Sequence, residues 1–117
     1  MYRSRMLQWA AGIVALVMTA GLLRLGETSI AVGLIPSPWD KLAHAATFGT
    51  LAFALWLALG RRLLLPCAVA VLVLACYDEW RQLMLPGREA DIEDLIANTA
   101  GILMAVWSAQ RLITKEA

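Results

Sequence analysis

Residues 42–60 read LAHAATFGTLAFALWLALG, and this stretch of 19 residues contains no Asp, Glu, Lys or Arg. Lys41 precedes it, and the pair Arg61 and Arg62 follows it. A helix needs about 17–25 predominantly apolar residues to cross the hydrocarbon core of a bilayer. The length of the run and its charged borders therefore predict a membrane-spanning helix.

Three more uncharged runs lie outside this stretch, at residues 6–23, 63–77 and 95–110. Hydrophobic residues form 61% of the 117-residue chain and charged residues only 16%, against about 45–50% and 25% in soluble domains. The core of a 117-residue domain is too small to bury this much apolar surface away from water. The composition therefore excludes a soluble enzyme and a disordered chain. We expect one all-α domain over residues 1–117, a four-helix transmembrane bundle with helices at about 6–25, 38–60, 63–83 and 91–113.

The first run has a second interpretation, because a basic start followed by an apolar run is also typical of a cleavable signal peptide. The run is longer than a usual signal core, and Met18 with Ala20 is a poor match to a small-x-small cleavage site. We therefore expect an uncleaved helix.

The distribution of charge predicts the orientation of the bundle. The two termini and the turn at residues 60–62 carry six basic residues and one acidic residue, whereas the opposite ends of the helices carry four basic and eight acidic residues. Because basic residues stay on the cytoplasmic side, we expect both termini inside and nearly every acidic residue outside. The net charge of +1 provides no basic field for nucleic acid.

Small residues recur at every fourth position in two of the expected helices, and in lipid such positions let helix backbones approach closely. These positions are Ala46, Thr50, Ala54 and Ala58, and then Ala97, Gly101, Ala105 and Ala109.

A first polar cluster opens the second expected helix. Ser37 and Asp40 have capping-box spacing, so both fit a helix start. His44 lies one turn further on, among alanines, at position i+4 from Asp40, and Lys41 precedes it. A buried histidine is often only a hydrogen-bonded structural residue, but a carboxylate one turn away makes a functional role equally plausible.

A second polar cluster closes the third helix with Asp78, Glu79, Arg81 and Gln82, after fifteen uncharged residues. Acidic side chains within a membrane are costly, so they are treated as site candidates by default. The alternative is that both carboxylates simply reach the outer headgroups.

A third cluster follows a Pro-Gly turn and includes Arg88, Asp91, Asp94 and Asn98. Asp91 fits a helix cap. Asn98 lies a full turn inside the apolar run, where an amide without hydrogen-bond partners would be expensive. Because all three clusters fall at the outward ends of their helices, we expect them to converge on one pocket.

These three blocks, in this order, resemble the VanZ-like family of small bacterial membrane proteins. The resemblance covers roughly residues 38–105 and implies a multi-pass protein of the bacterial cytoplasmic (inner) membrane with outward-facing polar motifs. It also implies an association with resistance to the glycopeptide teicoplanin, and Asp91 stands where relatives often have Ser or Thr. Carried over by position, the expected site is Asp40, Lys41, His44, Asp78, Glu79, Gln82, Arg88, Asp94 and Asn98.

Three functions remain open at the level of the sequence. The site could bind or process a lipid-linked or anionic envelope substrate, with Lys41 and Arg88 holding an anionic headgroup and His44 moving a proton. It could instead be a structural or partner-binding network, and a proton-coupled transporter is a weaker third hypothesis. No established catalytic motif decides whether the chain is an enzyme. An oligomer is possible, and so is a divalent metal held by His44, Asp78, Glu79 and Asp94.

Overall fold

The computed structural model of the chain describes residues 5–26, 39–82, 84 and 92–116. Within these ranges the chain forms four α-helices and no strand: α1 (Arg5–Gly26), α2 (Trp39–Leu59), α3 (Leu64–Gln82) and α4 (Ile92–Glu116). The prediction of an all-α fold is thereby confirmed. Helix α4 continues to Glu116, past the predicted end at residue 113.

A tight connection reverses the chain between α2 and α3. The amide of Gly60 donates to the carbonyl oxygen of Trp56 at 2.9 Å, and that of Leu63 donates to the carbonyl oxygen of Gly60 at 3.1 Å. Gly60 has φ of +115°, a conformation that residues with a Cβ rarely adopt. A 3-10 turn at Arg61–Leu63 then leads into α3. Helices α2 and α3 therefore run in opposite directions, and the polar end of α3 lies at the same end of the molecule as the start of α2.

Helix α2 lies at the centre of the bundle, with its most extensive contact to α4 and its next to α1. The molecule measures 48 × 23 × 21 Å. Its long dimension is close to the roughly 40–45 Å thickness of a bilayer with its headgroup regions.

Two glycines set the distance between α2 and α4. A Cβ added to Gly101 would overlap the backbone carbonyl group of Ala45, and a Cβ added to Gly49 would lie 2.7 Å from the carbonyl oxygen of Gly101. Of the predicted small-residue series, Gly101, Ala105 and Ala109 of α4 and Ala54 of α2 are buried, whereas Ala46 and Thr50 of α2 are exposed. The two helix backbones are thus in direct contact where α2 and α4 cross.

Alanines and large apolar side chains fill the interior together: Ala75 and Ala109 are fully buried, and so are Phe48 and Trp56. Many other large apolar side chains point outward on all four helices, and Leu16, Val73 and Met104 are more than half exposed. This distribution suits lipid better than water, since soluble monomers rarely expose large apolar patches.

By length and hydropathy, two of the described helical segments qualify as membrane spans, Arg5–Arg24 and Lys41–Leu59. Helix α3 ends with Asp78, Glu79 and Arg81, and α4 contains Asn98 and Arg111. The expectation that all four helices cross the membrane stays a prediction.

Candidate functional site

An ion pair joins the first turn of α2 to the first turn of α4. The Nζ of Lys41 donates to Oδ1 of Asp94 at 2.6 Å, across 53 positions of sequence. The side chain of Asp94 is only 10% exposed and that of Lys41 is 23% exposed. The carboxylate is therefore held inside the bundle, and the ammonium group lies nearer the surface.

His44 contacts α4 through both of its ring nitrogens. Its Nδ1 lies 3.1 Å from Oδ1 of Asn98, and its Nε2 lies 3.6 Å from Oδ2 of Asp94. Asp94 is thus shared between Lys41 on one oxygen and His44 on the other. We call Lys41, His44, Asp94 and Asn98 the α2/α4 polar cluster.

The amide of Asn98 is the most deeply buried group of this cluster. Asn98 is 0% exposed, and its Nδ2 has no hydrogen-bond partner among the described residues. In this orientation Nδ1 of His44 carries a proton and donates to the amide oxygen. Turning the amide over would present Nδ2 as a donor to an unprotonated Nδ1. The tautomer of His44 and the orientation of Asn98 are therefore coupled.

Helical spacing brings these four side chains together. Lys41 and His44 are three residues apart on α2, and Asp94 and Asn98 are four apart on α4, so each pair lies on one face of its helix. Gly101 follows Asn98 by one turn, and Ala45 directly follows His44. The close glycine contact therefore lies beside the α2/α4 polar cluster and fixes the distance across it.

A second group of charged residues closes α3 and reaches α1. Asp78 and Glu79 are buried, at 4% and 8% exposure. Nη2 of Arg81 lies 3.7 Å from Oδ1 of Asp78 and donates to the carbonyl oxygen of Leu23 at 2.9 Å. This group joins the polar end of α3 to the last turns of α1.

An open groove of about 520 Å³ runs between α2 and α4 and is lined almost entirely by apolar atoms. Leu42 and Ala45 line it, and each directly follows a residue of the α2/α4 polar cluster in the sequence. Gly101 and Met104 line it from α4. We call this feature the α2/α4 groove.

Several predicted site residues fall outside this geometry. Ser37, Arg88 and Asp91 lie outside the described residues, and the side chains of Asp40 and Gln82 do as well, although both belong to helices. In the described part of the chain, no three His, Cys, Asp or Glu side chains are arranged to hold a metal ion. The arrangement therefore does not gather His44, Asp78, Glu79 and Asp94 into one donor set.

Sequence reasoning left two features out of the predicted site. The i, i+3 spacing of Asp78 and Arg81 indicates that their side chains lie close together on α3. The hydrogen bond from Arg81 to a backbone carbonyl of α1 has no signature in the sequence. The α2/α4 groove depends on how two helices cross, and the small-residue spacing predicted only that they would approach closely.

A family model described as VanZ/LLP1 matches residues 4–113 of the chain. No curated protein and no solved structure matches it.

Proposed function

The chain belongs to the VanZ/LLP1 family, and from that premise we propose that it is a four-span membrane protein that binds the anionic headgroup of an envelope lipid at its α2/α4 polar cluster. Family membership itself suggests a teicoplanin-resistance-associated protein of the cell envelope. Binding of an anionic headgroup goes beyond what family membership suggests and depends on the chemistry of the α2/α4 polar cluster.

The observation that carries the proposal is the order of charges from the interior to the surface. The acidic member, Asp94, is the less exposed partner, and the two basic side chains, Lys41 and His44, are each exposed by more than a fifth. A lysine ammonium group has three N–H donors, so it can bind a carboxylate and a phosphate oxygen at once. Arg88 follows α3 in the sequence and is a second basic candidate.

The proposed orientation follows from charge and from tryptophan. The cluster end carries Trp39 and Trp80, exposed by 63% and 53%, and the opposite end carries Trp107, exposed by 61%. The guanidinium of Arg111 lies 5.4 Å from the centre of the Trp107 ring. Exposed tryptophans at both levels are typical of the two membrane interfaces. Because the more basic end of the bundle faces the cytoplasm, the end that carries the α2/α4 polar cluster faces the outer leaflet.

The contacts of His44 favour binding over catalysis. A general base needs a ring nitrogen directed at the proton that it removes. Both nitrogens of His44 instead face side chains of α4, at 3.1 and 3.6 Å. We therefore assign His44 to holding the α2/α4 polar cluster together, and we propose no reaction.

The proposal is tested by comparing lipid binding between two lysines. Lys41→Gln removes a positive charge at the cluster, and Lys115→Gln removes one near the other end of the bundle. Native mass spectrometry of the detergent-purified protein would measure binding of phosphatidylglycerol and of zwitterionic phosphatidylcholine. We expect wild type to prefer phosphatidylglycerol and Lys41→Gln to lose about tenfold in its affinity, since a hydrogen bond to a charged group contributes about 1.5 kcal/mol.

Lys115→Gln is expected to bind as wild type does. His44→Gln, which keeps a hydrogen-bonding side chain, serves as a second test should Lys41→Gln lose its helical circular dichroism. Equal binding of the two lipids by wild type would contradict the proposal, as would equal losses at Lys41 and Lys115.

A further inference from the structure

We infer that His44 and Asn98 form a proton switch inside the α2/α4 polar cluster: when the neutral ring of His44 takes up a proton, the buried amide of Asn98 turns over and the cluster gains one positive charge. The switch is a property of the protein alone and needs no lipid. Its effect on headgroup binding rests on the proposed function.

The group that faces Nε2 of His44 selects the form of the neutral ring. Nε2 lies 3.6 Å from Oδ2 of Asp94, whose other oxygen binds Lys41. An ionised carboxylate only accepts hydrogen bonds, so it favours a proton on Nε2. A neutral imidazole carries a proton on one of its two nitrogens. When His44 is neutral, Nδ1 is therefore left without a proton and acts as an acceptor.

The amide of Asn98 has to match the state of Nδ1. An unprotonated Nδ1 requires the NH2 group of Asn98, whereas a protonated ring donates from Nδ1 and requires the amide oxygen. The structure has the second arrangement, with Nδ1 at 3.1 Å from Oδ1, so both ring nitrogens face oxygen atoms. Nδ2 of the fully buried Asn98 then has no hydrogen-bond partner among the described residues. Turning the amide over gives Nδ2 a partner in the neutral ring, so each state of His44 has its own amide orientation.

The charged groups around His44 determine what the proton does to the net charge. The ring contacts Asp94 of α4, and Lys41 of α2 neutralises that carboxylate. Asp40 lies one turn earlier on α2, and its side chain is outside the described residues. A proton on His44 therefore takes the cluster from no net charge to one positive charge. Within the described ranges, no ion pair joins His44 to the other charged residues at this end of the bundle, which are Arg24 of α1, Asp78, Glu79 and Arg81 of α3, and Glu93 of α4.

The position of His44 makes the switch responsive to the pH outside the membrane. Its side chain is 21% exposed, at the end of the bundle that we propose to face the outer leaflet. Histidine is the side chain that ordinarily titrates between about pH 5 and 8. Because the proton adds positive charge beside Lys41, the affinity for an anionic headgroup rises as the pH falls through the titration of His44 and declines as the pH rises.

The first test observes the switch without any anionic lipid. The chain contains one histidine and one asparagine, so ¹⁵N in the histidine ring and in the asparagine side-chain amide reports on His44 and Asn98 alone. Solid-state NMR would be recorded in phosphatidylcholine bilayers at about pH 8 and about pH 5, the two ends of the range in which histidine titrates. At the higher pH we expect a proton on Nε2 only and a ¹⁵N–¹⁵N contact between Nδ1 and Nδ2 of about 3 Å, a hydrogen-bond distance.

At the lower pH both ring nitrogens are expected to carry protons, and the contact between Nδ1 and Nδ2 is expected to weaken severalfold because Oδ1 replaces Nδ2. Three results would each overturn the inference: a neutral ring that carries its proton on Nδ1, a ring that is protonated while the contact with Nδ2 is unchanged, or a ring that takes up no proton over this range.

The second test measures the effect on headgroup binding. The affinity of wild type for phosphatidylglycerol is expected to be about threefold higher at the lower pH, since His44 and Lys41 lie one turn apart and the added charge acts through partly aqueous surroundings. His44→Gln cannot take up the proton and is expected to bind equally at both pH values. The matched control Lys115→Gln, at the other end of the bundle, is expected to keep the threefold ratio.

The outcomes of the two tests separate the switch from the proposed function. If the amide of Asn98 does not turn between the two pH values, the inference is wrong whatever the lipid does. If the amide turns but wild type prefers phosphatidylglycerol to phosphatidylcholine at neither pH, the switch stands and the proposed function fails. If His44→Gln keeps the pH dependence of wild type, His44 does not control the charge of the site and the inference is wrong.

Discussion

At the scale of single residues, the contact between Lys41 and Asp94 has two partners of unequal burial. Asp94 has 10% of its side chain exposed and Lys41 has 23%, at an Nζ to Oδ1 distance of 2.6 Å. Removing one partner of a buried pair leaves the other charge uncompensated, whereas replacing both by apolar groups is often tolerated. The pair is therefore expected to show strong coupling.

A double-mutant cycle measures this coupling. We expect Lys41→Met to destabilise the protein by about 2 kcal/mol, because the buried carboxylate of Asp94 would lose its close partner and keep the longer contact with His44, at 3.6 Å, and we expect the double variant Lys41→Met, Asp94→Leu to recover about half of that loss. The free energy of unfolding would be measured by steric trapping in bicelles. If the losses of unfolding free energy in Lys41→Met and in Asp94→Leu simply add up in the double variant, the ion pair contributes no coupling energy.

At the scale of elements, the crossing of α2 and α4 at Gly49 and Gly101 determines whether the polar cluster can form. Gly101 follows Asn98 by three residues on the same face of α4. Any side chain at Gly101 pushes against the carbonyl group of Ala45, so the two helices must separate. Separation moves Asp94 and Asn98 away from Lys41 and His44.

We predict that Gly101→Ala lowers the free energy of unfolding by about 3 kcal/mol, the upper range of overpacking effects. It is also expected to weaken phosphatidylglycerol binding, although it touches neither Lys41 nor His44. The matched control is Gly21→Ala, since a Cβ at Gly21 meets nothing within 4 Å. An exposed Gly to Ala change within a helix is neutral or stabilising by up to about 1 kcal/mol. Equal stability of the two variants would contradict the importance of the crossing.

The elements themselves were largely predictable, because uncharged runs of membrane-spanning length and their charged borders are local properties of the sequence. The all-α class and the family are confirmed by the four helices and by the match over residues 4–113. His44 and Asn98 were identified as polar groups that hydrophobicity could not explain. Their contact spans 54 positions, so it depends on the crossing of two helices and could not be derived from either helix alone.

At the scale of the whole molecule, the structure brings together only part of the three polar clusters that were expected to converge. The α2/α4 polar cluster joins two of the predicted blocks. The second polar cluster, at the end of α3, is connected to α1 instead, through the hydrogen bond from Arg81 to the carbonyl oxygen of Leu23, a contact that no motif in the sequence indicated. Both groups lie at the same end of the bundle, because each helix runs antiparallel to the one before it.

The orientation of that end is predicted by the charge distribution. The chain has two cysteines, Cys67 and Cys76, both free and both on α3. In a variant with both replaced by alanine, we expect Trp39→Cys to react with a membrane-impermeant maleimide on intact cells. Arg62→Cys and Lys115→Cys are expected to react only after permeabilisation, since basic residues mark the cytoplasmic side. If Arg62→Cys were labelled on intact cells and Trp39→Cys were protected, the orientation of the bundle would be the reverse of the one proposed.

The chain contains one histidine, so histidine labelled with ¹⁵N reports on His44 alone. The most direct test of headgroup binding is dipolar recoupling between this ¹⁵N and lipid ³¹P in solid-state NMR of the protein in phosphatidylglycerol bilayers. We predict measurable dephasing of the imidazole nitrogens by a phosphorus bound at Lys41, which lies three residues before His44 on the same face of α2; the ring need not bind the phosphate itself, since both of its nitrogens face α4. Dephasing is expected to disappear in Lys41→Gln and to persist in Lys115→Gln. Absence of ¹⁵N dephasing in the wild-type protein, under conditions where phosphatidylglycerol is the only lipid present, would contradict headgroup binding at the α2/α4 polar cluster.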